Sequence, residues 1–258
     1  MNQFEKEIIN RINRNKNNKP LLDSAKHFYT DSVLAEYCYN FSALGRPIIQ
    51  YPQDMIAMQE IIWEVKPDLI IETGIAHGGS LIMNASMLAL LDMSDAINAG
   101  ESAFNPMKSK RKVLGIDIDI RSHNKEAIKE HSMSSRIQMI QGSSIDSLII
   151  EKVKKISLDY KRILISLDSN HTHEHVLEEL KAYAPLTSVG SYCIVFDTAI
   201  EDIPVNNFSV RNWGPGNSPK TAVWEYLKTH NEFEIDNKIH NKLLITACPD
   251  GYLKRIKE

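Results

Sequence analysis

The sequence predicts an α/β fold: a doubly wound sheet of seven strands, five parallel followed by a terminal antiparallel pair, preceded by an N-terminal helical appendage. Three observations carry that prediction. From Lys66 onward, short apolar runs alternate with segments of helical periodicity, the pattern of parallel βαβ units. The first of these runs, Leu69-Ile70-Ile71, closes on Glu72, and Gly74, Gly78 and Gly79 then bracket a tight turn that opens a helix. The chain ends on two apolar runs, Phe233 to Asp236 and Leu243 to Cys248, with no helical stretch read between them, as an antiparallel edge pair requires.

Residues 1–65 carry no strand alternation and are expected to be an appendage on a main domain of residues 66–258. Phe4, Ile8, Ile9 and Ile12 make one amphipathic stripe, and Asn13 to Pro20 is a polar break. A second helical segment runs near Leu21 to Tyr39, Ser42 to Pro47 is a turn, and a helix is expected from about Asp54 to Glu64. The appendage is expected to act as a lid or as a subunit contact in a homo-oligomer. In the main domain, strands are expected at 69–73, 113–118, 137–141, 163–168 and 191–197. Helices fall near 79–92, 123–132, 145–157, 172–183 and 218–229. The insert from Asp92 to Lys112, with Gly100, Pro106 and several Ser and Asn, is expected to be an exposed loop.

Composition excludes several classes. At 258 residues, 43% hydrophobic and 24% charged, the chain is an ordinary globular one with room for a sizeable core. Its 30 basic residues are balanced by 33 acids, a net charge of −3, so no nucleic-acid surface is expected. Cys38, Cys193 and Cys248 form no C-x-x-C pair and read as reduced thiols. The polar N-terminus and the lack of a run of membrane-spanning length lead to the expectation of a cytoplasmic protein with no membrane span.

Chemistry concentrates at the strand ends. A strand, a glycine turn and a helix present backbone N–H groups to a nucleotide-like ligand. The spacing is G-x-x-x-G-G, so a dinucleotide fingerprint is not met. The second strand ends in Asp117 and Asp119; a carboxylate there faces ribose hydroxyls, or else caps the next helix. Ser143 and Ser144, at the end of the third strand, leave room for an adenine ring or cap the helix beginning near Asp146. Asp168 and Asp197 close the fourth and fifth strands, and two like charges in one cleft call for a cation or a proton between them. Oxygen donors without cysteine select a hard ion such as Mg²⁺ or Ca²⁺, which would lower the pKa of a bound hydroxyl. His171, three residues past Asp168, is placed to take that hydroxyl's proton. Asp168, His171 and His173 also admit reading as a two-histidine, one-carboxylate iron site, although such oxygenases are usually all-β. Trp213, within the Gly/Pro-rich stretch Arg211 to Pro219, would either stack on an acceptor ring or tuck into the core.

Five segments together resemble the cephalosporin hydroxylase / rhamnosyl O-methyltransferase family. They are Pro52-Gln53-Asp54, Ile71 to Ser80, Gly115 to Arg121, Leu167 to His171 and Val195 to Thr198, and the resemblance covers roughly residues 45–230. It implies the S-adenosylmethionine (SAM)-dependent methyltransferase variant of the doubly wound fold, similar in core to catechol O-methyltransferase, with SAM and Mg²⁺ as cofactors. Glu72, Gly74, His77, Gly78, Gly79 and Ser80 would hold the methionine part, Asp117 the ribose, and Ser143, Ser144 and Asp168 the rest of the cofactor. The metal would lie at Asp168 and Asp197, with His171 as base and Asp168 beside it in catalysis. His173 and Trp213 would face the acceptor, a small molecule or glycan, most simply a sugar hydroxyl. The family often has an acid before the aspartate of the fifth strand. Here that position is Phe196, so Thr198 or water is expected to fill in. Two other functions remain open from sequence: an NAD-type oxidoreductase, and a non-catalytic member that binds cofactor or only assembles.

Overall fold

The computed structural model describes residues 1–103, 105–204 and 211–258. Seven strands form one sheet: β3 (Leu69–Thr73), β4 (Lys112–Asp117), β5 (Ile137–Gln141), β6 (Ile163–Leu167), β7 (Tyr192–Val195), β8 (Phe233–Ile235) and β9 (Tyr252–Arg255). Their order is β5-β4-β3-β6-β7-β9-β8, with β9 antiparallel to both β7 and β8 and the other pairs parallel. The sheet is therefore the expected seven-stranded one. Helices cover both faces, which is why β3, β6 and β7 are buried along their whole length. Alternate residues serve opposite layers: Ile70, Leu164 and Ile194 face α3 (Pro52–Val65) and α4 (Gly79–Asn98), whereas Ile71, Ile165 and Val195 face α7 (His173–Tyr183) and α8 (Pro219–Tyr226).

The direction of chain progression reverses between β3 and β6, and the crevice outside their carboxyl ends is where such sheets take ligands. α5 (Ser122–Glu130) and α6 (Ser147–Ser157) complete the outer layers near β4 and β5.

Three expectations need correction. The terminal pair is β8 with Tyr252–Arg255, not with Leu243 to Cys248, and α9 (Asn237–Leu243) lies between the two strands. The apolar run 243–248 is spent differently: Asp54 accepts from the Thr246 hydroxyl and from the Ala247 N–H, and the Cys248 N–H donates to Thr246 Oγ1 at 3.0 Å. Side chains thus claim the backbone groups that a ladder would need. Second, α4 runs on to Asn98, into the expected loop. Asp92 on its late turns receives Arg111 and the 2%-exposed Arg136, and Asp95 pairs with Arg111. At 20 residues and mean hydropathy 1.2, α4 also reaches membrane-crossing length and composition, which the sequence reading did not expect. Its Leu81, Ile82, Ala85 and Leu88 are fully buried against the sheet.

Third, residues 1–65 are not wholly helical. Between α2 (Lys19–Leu34) and α3 sits a hairpin of β1 (Phe41–Ala43) and β2 (Arg46–Ile48), turned through Leu44 and Gly45, both at positive φ. Three-residue strands are too short to show alternation. α1 (Gln3–Asn15) forms as expected, closed at its start by an Asn2–Glu5 capping box.

Candidate active site

The turn after β3 is held by close approach and by hydrogen bonds. Gly74 has φ +87°, and a Cβ there would lie 2.0 Å from the Asp168 carbonyl oxygen, so only glycine fits between the ends of β3 and β6. A Cβ on Gly79 would meet the Pro47 carbonyl at 2.2 Å, which brings the β1–β2 hairpin onto the start of α4. Glu72 is buried one layer behind the cavity, accepting from the Ser80 hydroxyl and from Asn84 Nδ2 at 2.9 Å. Burial pushes its carboxyl up to about 7, against the two hydrogen bonds that hold it down. Gly78 is likewise buried behind the turn, at φ +82°.

Gly74, His77, Gly79 and Ser80 line a cavity of about 230 Å³ that also reaches Asp168, His171 and Asp197. Arg46, which sequence reading passed over as a turn residue, donates to the His77 carbonyl through Nε (3.0 Å) and Nη2 (2.7 Å), and through Nη2 to Asn124 Oδ1. Asn124 in turn donates to the Ala76 carbonyl at 2.9 Å.

A smaller cavity of about 110 Å³ continues along the sheet edge past Gly74, Asp117, Ser143, Ser144, Ser169 and Asn170. Asp117 Oδ2 accepts from the Ile75 and Ala76 N–H groups at 2.7 and 3.2 Å, so this acid braces the glycine turn while it faces the cavity. Asp146, not a serine, caps α6. Asp119 pairs with Arg121 at 3.9 Å in the open.

The acid pair lines the first of these cavities. Asp168, His171 and Asp197 present ligand atoms within 4.8 Å of one another, and His171 Nε2 stands 3.2 Å from Asp197 Oδ2. Burial and then the neighbouring Asp197 charge hold the Asp168 carboxyl well above the usual carboxylate range. Asp197 sits in the left-handed region at φ 56°, ψ 20° just past β7, an uncommon conformation that turns its carboxylate back to His171. Two carboxylates and an imidazole suit a divalent cation.

Two expected participants stand elsewhere. Thr198 is fully buried, donates its hydroxyl to the Pro249 carbonyl at 2.6 Å and lines neither cavity at the acid pair. His173 begins α7 and faces α8, with Nδ1 2.8 Å from Thr221 Oγ1 and Nε2 3.2 Å from Glu225. It lines no acceptor cavity among the described residues, and the two-histidine iron site is not formed.

The largest of the three cavities, about 290 Å³, opens on the other side of Asp168, His171 and Asp197. Phe196, at the position where the family often has an acid, is part of its wall. Trp213 lines it and meets the His171 ring edge-on, centroids 5.2 Å apart, while the Arg211 guanidinium lies 4.5 Å over the indole. No local sequence signal marks the rest of this wall. Tyr29 and Val33 come from α2, and Gln50 and Tyr51 from the link between β2 and α3. Tyr29 and Tyr51 stack at 5.0 Å, and the Tyr51 hydroxyl is 2.7 Å from Ser32 Oγ. Behind them Asp54 is fully buried, accepts from Thr246, Ala247 and Tyr252, and is pushed up to about 6 by desolvation.

Comparison with known proteins gives the family. The family model described as Rhamnosyl O-methyltransferase/CmcI matches residues 35–256. The rhamnosyl O-methyltransferase of Mycobacterium tuberculosis is 31% identical over 204 residues, 78% of this chain and 73% of that protein. Its counterpart in Mycobacterium leprae is 28% identical over 237 residues, 88% and 92% of the two chains. A CmcI structure solved with Mg and SAM superposes with a TM-score of 0.53 at 20% identity, over 85% of this chain and 78% of that one. An apo-structure of CmcI gives 0.54 at the same identity and coverage. With the family model spanning most of its length and a relative at 31% identity, the chain belongs to the rhamnosyl O-methyltransferase/CmcI family of SAM-dependent O-methyltransferases.

Proposed function

We propose that this protein transfers the methyl group of SAM to a hydroxyl of a sugar, free or carried on a glycan or a glycosylated metabolite, with a divalent cation, Mg²⁺, at Asp168 and Asp197. The observation that carries the reading is the meeting of two cavities at one group, Asp168, His171 and Asp197, with the third sharing Gly74 and Ser169 with the cofactor-side cavity. The relatives named for rhamnosyl methylation, and the CmcI structure solved with Mg and SAM, support it.

The methyl donor supplies an electrophilic carbon, and the cation an electrostatic pull on the acceptor oxygen. Gly74, His77 and Ser80 shape the seat of the donor's amino-acid end, and Asp117 and Ser144 that of its nucleoside. Trp213 and the Tyr29–Tyr51 stack offer flat apolar faces to a ring and exclude water from the transfer. The His171 imidazole takes the proton of the acceptor hydroxyl, and Asp197, 3.2 Å from its Nε2, steadies the imidazolium that results. Residues 1–65 act as the fixed wall and lid of the acceptor side.

A second reading of His171 has its own observation. One of its ring nitrogens belongs to the same 4.8 Å group as the two carboxylates and is therefore also in position to touch the cation. Calorimetry with Mg²⁺ separates the two. As a base, His171→Ala leaves Mg²⁺ affinity unchanged and removes methyl transfer; as a ligand, it weakens both. The function itself is tested by transfer of labelled methyl from SAM to a panel of glycosides and nucleotide sugars, with and without Mg²⁺. Transfer to any sugar hydroxyl, stimulated by Mg²⁺, supports the proposal. Binding of SAM with no transfer across the panel would favour a non-catalytic protein.

A further inference from the structure

Helix α7 carries three unusual side chains on one face, His175, Glu179 and Tyr183, four residues apart. Glu179 is fully buried, and its Oε2 has no hydrogen-bond partner among the described residues. Nothing in the chemistry derived so far uses it. His175 lines the smallest of the three cavities, and Glu179 and Tyr183 stand behind it, bonded to residues of its wall. Tyr183 donates to the Ser144 carbonyl, Ser169 Oγ donates to Glu179 Oε1 at 2.6 Å, and His175 lines the cavity with Ser144 and Ser169.

The direction of each proton follows. Ser169 gives its hydroxyl hydrogen to Glu179, so toward His175, 3.2 Å away, its oxygen can only accept. That puts the proton on His175 Nε2, a tautomer also favoured by Glu179 Oε1 at 3.6 Å. The same N–H faces Ser144 Oγ at 3.0 Å, so Ser144 accepts there as well. Its own hydrogen is then left to point into the cavity as a donor.

We propose that Glu179 and His175 orient the Ser144 hydroxyl as a hydrogen-bond donor at the purine end of the cleft, so that the protein selects a 6-aminopurine over a 6-oxopurine. The inference rests on the SAM reading above. A donor suits adenine N1, which is a bare acceptor, and opposes the N1–H of a 6-oxopurine, where two donors would face each other. His175 and Glu179 are positioning residues; Ser144 is the group that touches the ligand.

The test is calorimetric binding of S-adenosylhomocysteine and of its 6-oxo counterpart, S-inosylhomocysteine, to the full chain. Wild type should prefer the amino form by about tenfold or more, as expected when one buried polar contact is mismatched. His175→Phe and, with the helix untouched, Ser144→Ala should each bring the two affinities within about threefold, mainly by weakening the amino form. A merely structural loss would lower both affinities and keep their ratio. An unchanged ratio in Ser144→Ala overturns the proposal, as does a wild type that binds the two equally. A wild type that binds neither overturns the methyl-donor reading and this one with it.

Discussion

The cofactor side and the acceptor side of the cleft are built by different means. On the cofactor side the main polar groups hang from a sheet strand end or from the few residues after it, Gly74 after β3, Asp117 on β4, Ser144 after β5 and Asp168 after β6, and Pro47 to Gln50 from the hairpin and the link after it close over them. Parallel pairing brings those ends together, and the close approach of Gly74 to Asp168 locks them. The acceptor side is assembled from α2, the link after β2, the turn after β7, and Arg211 and Trp213, segments joined only by tertiary packing. Damage to the first side should therefore strike cofactor binding and folding together. Damage to the second should strike acceptor recognition alone.

The largest effect is expected from Gly74→Ala. A Cβ at 2.0 Å from the Asp168 carbonyl must part β3 from β6 or twist the turn, and φ +87° disfavours alanine besides. Binding of S-adenosylhomocysteine should disappear and the melting temperature should fall; a variant that binds normally would show that the turn is not the organising contact.

Next comes the pH dependence of the cofactor side. Glu72 has its carboxyl raised by burial from 4.5 to about 7, so the folded chain holds this proton more tightly than the unfolded one. Its contribution is full below about pH 4.5 and is lost as pH rises through 7, a change of up to about 3 kcal/mol. Asp54, raised from 3.8 to about 6, adds a loss of the same sign at lower pH. Ligand-free wild type should lose melting temperature from pH 5 to 8, and Glu72→Gln should flatten most of that slope. Equal slopes in the two proteins would mean that Glu72 ionises freely.

The smallest of the three is Trp213→Ala. Loss of a stacking face should raise the KM for the acceptor about tenfold, with affinity for S-adenosylhomocysteine within about twofold. If cofactor affinity falls in parallel, the two sides are not separable.

The same contrast explains what could be read in the sequence. Strands buried on both faces announce themselves as apolar runs, and an acid at the end of such a run lands at the sheet edge whatever the loops do. Hence Asp117, Asp168 and Asp197 were legible. His171 was legible too, because it follows Asp168 before the helix begins. Two residues further, α7 has started, and a turn of about 100° per residue puts His173 toward α8 and His175, half a turn on, toward the cleft. Thr198 failed for a related reason: the left-handed Asp197 swings the next side chain inward to Pro249. The last strand was misplaced because Asp54, nearly two hundred residues away in sequence, takes the polar groups of Thr246 and Ala247. Tyr29, Gln50 and Tyr51 gave no local signal at all, since only packing brings them to the site.

The central claim is that the two sides meet at Asp168, His171 and Asp197, and that His171 moves the acceptor's proton there. Its most direct test is single-turnover transfer of labelled methyl from SAM to a sugar acceptor of the wild type, with affinities for S-adenosylhomocysteine and Mg²⁺ measured alongside. In His171→Ala, transfer should fall by about 100-fold or more while both affinities stay within about threefold. A His171→Ala protein that transfers methyl at the wild-type rate would contradict the account.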